Sequence, residues 1–322
     1  MENSIAKRLK QQMKIPVIMA PMFLISNPEM VIRACEAGII GTFPALNARS
    51  TEILDQWMLG INDELKKLKA EKSEKKIAPW GINFISHKSN KRFAHDLQLI
   101  EKHQPPIVIT SLGDPSPVVD IVHQYKGLVF SDVTTIRFAK KALEKGSDGL
   151  ILVANGAGGH GGTLNPIAFV HEVREFFAGP VILGGGMSKG EDILAAEILG
   201  ADFAYIGTHF IVAEESDATK QYKVMTTTST IEDIIYTPAF SGIPANYLIP
   251  SIVNSGLDPS TLPEKGKIDL AELENPDLHA WKDILGAGQG VGGNKKIQSV
   301  ANLTSELIEH YEDAKQKIVH NY

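Results

Sequence analysis

The sequence predicts an α/β protein built as a closed (β/α)8, or TIM, barrel with a small inserted α+β lid, and three observations predict it. Eight short β-rich apolar runs alternate with helix-compatible stretches, most of them roughly 20 to 30 residues apart. The runs lack the alternating polarity of a one-sided sheet, so both faces are buried, as in a parallel sheet covered by helices. Glycine clusters close the last three runs, where barrel enzymes hold phosphate. A doubly wound open sheet shares the local pattern; the count of eight and the glycine placement favour closure.

The first four runs are Pro16–Ala20, Ile39–Phe43, Trp80–Phe84 and Ile107–Thr110. The next four are Leu128–Ser131, Leu150–Val153, Val181–Gly184 and Phe203–Gly207. After about residue 215 the rhythm breaks into a polar tract, Thr226 to Thr230, and a Pro-, Gly- and Asn-rich stretch that does not continue the repeat. The expected organisation is a barrel over residues 1–215, an inserted lid or substrate unit over 216–282, and a return to the barrel over 283–322 through a helix at Ser299–Val319. Ile5, Leu9 and Met13 recur at helical spacing, so the first residues read as a packing helix rather than a secretion signal.

Composition narrows the function. A net charge of −6 and a pI near 5.9 argue against a nucleic-acid partner, which needs a basic face. The basic stretch Lys66 to Lys76 is interleaved with Glu71 and Glu74 and reads as a solvated helix face. No apolar run approaches eighteen residues, so no membrane partner and a cytoplasmic location are expected. The single cysteine, Cys35, excludes an internal disulfide and reads as a small core residue. Asp114, Asp132 and Glu172 fall near strand ends or on a helix without metal-ligand spacing, so no metal is expected. A homodimer is left open.

The chemistry gathers at the strand ends. Gly184-Gly185-Gly186 and Gly207-Thr208 let backbone N–H groups approach a phosphate closely, and the Thr208 hydroxyl adds a donor. Gly156-Ala157-Gly158-Gly159-His160-Gly161-Gly162 follows the sixth run. Its five glycines in seven residues leave a flat backbone against which a ligand can lie, with His160 as the one titratable group. An imidazole there exchanges a proton near working pH or hydrogen-bonds an anion. Ala20-Pro21-Met22 and Asn83 share the same rim, Met22 offering a soft surface for a ring and Asn83 a donor and an acceptor for a heterocycle edge. His209, just past the clamp, reads equally well as ligand-facing or structural.

These residues resemble the nitronate monooxygenase (2-nitropropane dioxygenase) family of FMN-dependent barrels. The likeness runs through PVIMAPM, ANGAGGHGG, PVILGGGM, YIGTHF and AGQGVGG over nearly the whole chain. It implies FMN contacts from Ala20, Pro21, Met22, Asn83, Gly158 and Gly159. Phosphate contacts would come from Gly184, Gly185, Gly186, Gly207 and Thr208, and a late contact from Gln289 and Gly290. The implied activity is O2-dependent oxidation of an alkyl nitronate or nitroalkane, with His160 as hydrogen-bonding group or base. Tyr236, Phe240 and Tyr247 of the expected lid read as water-excluding residues or, at least as well, as ordinary lid packing. The second reading is an FMN-dependent NAD(P)H reductase of quinones or enoyl thioesters, for the family holds both. Two departures bear on substrate: no Glu precedes the glycine-histidine run, and Ser131-Asp132 stands where some reductase members have a lysine. A flavin-free aldolase or lyase using the same clamp, or a non-catalytic flavin carrier, are readings of other classes.

Overall fold

Parallel strands buried on both faces can satisfy every backbone group without an exposed edge only by closing, and these eight close. In a computed structural model, which describes residues 4–87, 89–262 and 283–321, the chain begins with helix α1 (Ser4–Lys10). It then alternates β1 (Val17–Met19), α2 (Pro28–Ala37), β2 (Ile40–Pro44), α3 (Thr51–Glu71), β3 (Trp80–Ile85), α4 (Phe93–His103), β4 (Ile107–Ser111) and α5 (Ser116–Gln124). The second half runs β5 (Leu128–Val133), α6 (Ile136–Glu144), β6 (Gly149–Val153), α7 (Pro166–Arg174), β7 (Val181–Gly184), α8 (Gly190–Leu199) and β8 (Phe203–Ile206). All neighbours pair in parallel, and Val17 opposite Ala204 closes the ring between β1 and β8. The eight runs expected from sequence are the eight strands.

Local signals place the helices. Asn27 caps α2 by accepting from the Met30 N–H, Pro28 opens it, and Gly38 ends it at φ 95°, a left-handed conformation that favours glycine. Asn165 and Pro166 start α7 in the same way, the Asn165 side chain accepting from Ile167 and Ala168.

The barrel interior is filled by Ile18, Ile40, Ile109, Phe130, Ile151, Ile182 and Phe203, with Ala6, Leu9 and Met13 of the N-terminal segment in the same cluster. Thus α1 and the turn after it stopper one end, and the strand carboxyl ends form the other. Beyond β8 come a short helix α9 (Thr208–Ile211), α10 (Lys220–Thr228), an antiparallel hairpin of β9 (Ile234–Thr237) with β10 (Ala245–Leu248), α11 (Ile249–Asn254) and finally α12 (Val300–Asn321). Part of the polar tract, Thr226 to Thr228, is helical: each hydroxyl donates to a carbonyl one turn back, which satisfies the side chain inside the helix. The hairpin and α11 give the expected α+β lid its described part; residues 263–282 of that expectation lie outside the described residues. No described helix is long and apolar enough to cross a membrane.

α12 packs on α8 and α2 and so covers the seam where β8 meets β1. Contact is closest at Gly190, where an added Cβ would stand 2.1 Å from the Tyr311 backbone nitrogen. Gly60, inside α3, has nothing within 4 Å of its position. Gly190→Ala is expected to lower stability by about 1–3 kcal/mol through overpacking. Gly60→Ala is expected to raise it by about 0.5–1 kcal/mol through helix propensity. Thermal and denaturant unfolding of the two variants measure the contrast.

Candidate active site

Side chains alternate faces along a strand, so residues two beyond the interior layer also point inward, nearer the rim. Asn83, Ser111, Asp132, Val153 and Tyr205 stand at the carboxyl ends of β3, β4, β5, β6 and β8. Each is half-buried in a strand otherwise largely or wholly buried. They form the floor of an opening. It is polar on one side: Asn83 Nδ2 donates to Ser111 Oγ at 2.6 Å, and Ser111 Oγ donates to Asp132 Oδ2.

The glycine motifs converge on the opposite rim. The carbonyl of Gly156 accepts from Gly186 N–H at 3.2 Å and from Gln289 N–H at 2.9 Å. Thr208 Oγ accepts from Gly288 N–H at 2.8 Å. A Cβ on Gly158 would stand 2.8 Å from the Gly288 nitrogen and 3.1 Å from Thr208 Oγ, and one on Gly290 would stand 2.9 Å from the Gly186 carbonyl oxygen. These contacts require bare backbone, which accounts for the glycines of the β6, β7 and return segments. Gly185 and Gly186 have φ of 142° and 71°, and beyond Gly186 there is nothing within 4 Å of a Cβ position, so that face opens to space. Gly207 adjoins Ala20 and Met22, with a Cβ position 3.4 Å from Ala20 Cβ and 3.7 Å from Met22 Sδ. The loop holding Ala20, Pro21 and Met22 is fixed by Asn47, whose amide nitrogen donates to the Met22 and Ser26 carbonyls at 3.0 and 2.7 Å.

The structure therefore brings Gly158, Gly186, Thr208, Gln289 and Gly290 together and sets Gly207 against Ala20 and Met22. Gly184 ends β7 beneath them, paired with Tyr205. Asn83 lies across the barrel and is tied to Ser111 instead. The Gly186 amide is engaged by Gly156, and the Thr208 hydroxyl, accepting from Gly288, keeps its own hydrogen for another acceptor. His209 is buried, its Nδ1 2.9 Å from Asn294 Oδ1, while Asn294 Nδ2 donates to the Thr208 carbonyl. It anchors the return segment to α9.

The hairpin holds the histidine loop. Asn246 donates from its backbone to the Gly159 carbonyl at 3.0 Å and from its side chain to the Ala157 carbonyl at 2.7 Å. Tyr236 donates to the Gly161 carbonyl at 2.9 Å. His160 Nε2 lies 3.0 Å from Ser241 Oγ, which gives its one hydrogen to the Ile243 carbonyl. An imidazole that donates from Nε2 to Ser241 Oγ fits that arrangement. Phe240 meets Tyr247 edge-on. Asn246 and Ser241 carry no signal of their own in the sequence; only the hairpin register brings them to the loop.

A model of the nitronate monooxygenase family matches residues 6–310. The nitronate monooxygenase of Paraburkholderia phytofirmans is 25% identical over 94% of each chain. A probable nitronate monooxygenase of Staphylococcus haemolyticus is 29% identical over 49% of this chain, which spans about half (48%) of that relative. Among solved structures, nitroalkane oxidase from Streptomyces ansochromogenes superposes with a TM-score of 0.77 at 22% identity, covering 96% of this chain and 99% of that one. FabK from Thermotoga maritima superposes at 0.76 and 21%, covering all of both. The family match and these relatives, together with the glycine-lined rim, place the protein among barrel enzymes of the oxidoreductase class. The chain belongs to the nitronate monooxygenase family.

Burial lowers the pKa of His160 to about 4. An unfolded imidazole titrates near 6.5, so between those values the unfolded chain binds more protons than the folded one. The stability this neutral imidazole confers is fully present above about pH 6.5 and is lost as pH falls through that window. NMR titration is expected to find the His160 ring neutral at pH 5.5. His160→Gln is expected to lose less melting temperature than the wild type between pH 6.5 and 4.5.

Proposed function

We propose that the protein binds FMN at this rim and oxidises alkyl nitronates with O2. The observation that carries the reading is one opening with a glycine-backbone wall and a polar floor, overlooked by a half-buried imidazole tethered to the hairpin. The residues suit the group. Gly185 and Gly207 offer backbone and Thr208 a hydroxyl to a phosphate, the open face of Gly186 leaves room beside them, and side chains at Gly158 or Gly288 would clash with the segments that shape the wall. The floor holds two buried polar atoms without a hydrogen-bond partner, Asp132 Oδ1 and the Tyr205 hydroxyl, as a site for a polar ring would. Ala20, Pro21 and Met22 would flank the ring and Asn83 would meet its edge, with Gly159, Gln289 and Gly290 closing the far side.

Bound there, FMN would supply the electron transfer between the nitronate and O2 that yields a carbonyl compound and a nitrogen oxyanion. The protein's own part is to hold the substrate and exclude water. A neutral imidazole whose protonated form is disfavoured by burial is a weak base toward a neutral nitroalkane, whereas it suits a substrate that arrives already deprotonated. His160 therefore acts chiefly by orienting the nitronate, and a bound anion in turn favours its protonation. The hairpin bonds from Asn246, Tyr236 and Ser241 keep the imidazole and its loop in place, which removes a reorganisation cost from the reaction.

His160→Ala is expected to lower kcat/KM for a small nitronate by about 10- to 100-fold, the worth of a hydrogen bond to a charged group. Anaerobic mixing of the flavin-loaded protein with a nitronate, NADH or NADPH in separate syringes tests the reaction class. Rapid bleaching by the nitronate alone is expected. Bleaching by NADH or NADPH instead would assign the protein to reductases of quinones or enoyl thioesters.

A further inference from the structure

The floor of the opening contains a carboxyl group whose surroundings ordinary packing does not explain. Asp132, at the inward end of β5, takes one hydrogen bond, from Ser111 Oγ to Oδ2. Its Oδ1 is buried with no partner, and no cationic side chain among the described residues pairs with it. On β8, three strands round the barrel, the Tyr205 hydroxyl is likewise buried and unpartnered. Buried polar groups are nearly always hydrogen-bonded, and a buried carboxylate without a cation is costlier still. Two orphans in one floor therefore mark a place where a polar ligand completes the bonding.

The chain of bonds leading to Asp132 also has a direction. The hydrogen of Ser111 goes to Asp132, so Ser111 Oγ can only accept from Asn83 Nδ2. Asn83 Nδ2 also reaches the Ile109 carbonyl at 3.4 Å. With its nitrogen committed to the barrel wall, the amide of Asn83 is left with its carbonyl oxygen for the opening.

We propose that Asp132 is a redox-positioning residue for the flavin. Through Ser111 it fixes Asn83 as an acceptor facing the cofactor, and its own unpaired carboxylate in the floor opposes the build-up of negative charge on the reduced ring. The proposal rests on the flavin reading above and goes beyond it by assigning to this chain a low reduction potential that depends on pH. Burial raises the Asp132 pKa to about 6, and a negative charge arriving on the ring would raise it further, so reduction draws a proton onto the carboxyl group. As pH rises past about 6 the carboxylate is ionised before reduction begins, and the potential falls by more than the ring's own protons require.

The test is spectroelectrochemical titration of the FMN-loaded protein from pH 5 to 8, for the wild type, Asp132→Asn, Asp132→Ser and Ser111→Ala. The wild type is expected to show a break near pH 6. Both Asp132 variants are expected to have a higher midpoint potential at pH 8 and no break. Ser111→Ala is expected to keep the break and to bind oxidised FMN more weakly, because Asn83 is released. A flavin-loaded Asp132→Asn or Asp132→Ser whose potential and break match the wild type would overturn the proposal while leaving the flavin reading intact. A wild-type protein that takes up no flavin would remove that reading, and the proposal with it.

Discussion

The carbonyl oxygen of Gly156 holds the rim together. By accepting from both Gly186 and Gln289 it ties the loop after β6 to the loop after β7 and to the segment returning from the lid, three stretches far apart in sequence. Two hydrogen bonds to one carbonyl demand close backbone approach, and that approach fixes the rest. Gly158 and Gly288 must lack a Cβ, and Gly290 must pass beneath the Gly186 carbonyl. The return segment is then bolted from below by Asn294, which bonds both His209 and the Thr208 carbonyl. The flat wall is a consequence of this crowding as much as of any ligand's shape.

The lid works on the same loop from above. Asn246, Tyr236 and Ser241 reach the backbone or the ring of residues 157–161 from a hairpin that contributes nothing to the barrel sheet. A histidine on a glycine-rich loop would ordinarily sample many orientations, since glycine imposes little on its neighbours. Here the restraint comes from outside the loop, and the price is that movement of the hairpin moves the imidazole. Imidazole orientation and hairpin position are coupled by geometry.

Much of this was legible in the sequence because burial on both faces writes itself as continuous apolar runs. Val17–Met19, Leu128–Phe130 and Gly149–Val153 need no partner to be recognised as strands. The glycine motifs were legible for a related reason: bare backbone cannot be replaced where segments nearly touch. The polar floor was not. Asp132 read as a strand-end acid without metal spacing and as a departure where some reductase members have a lysine, and Ser111 carried no mark, because their meaning lies in register across β3, β4 and β5. Counting two residues outward from Ile109 and Phe130 would have set both on one layer; the bond between them needs the barrel's stagger. Ser241 and Asn246 were hidden similarly, in a Pro- and Gly-rich stretch whose pairing no periodicity announces.

The seam between β1 and β8 has a bearing on how the chain is made. When β1 leaves the ribosome one lasting neighbour follows close behind it, but its other edge waits for β8, and the cover for that joint, α12, comes later still. Throughout that interval the nascent sheet exposes an unpaired strand, the feature most prone to association between chains. Synthesis slowed between β2 and β8 would lengthen the hazardous period, while a chaperone that shields sheet edges would lessen its effect.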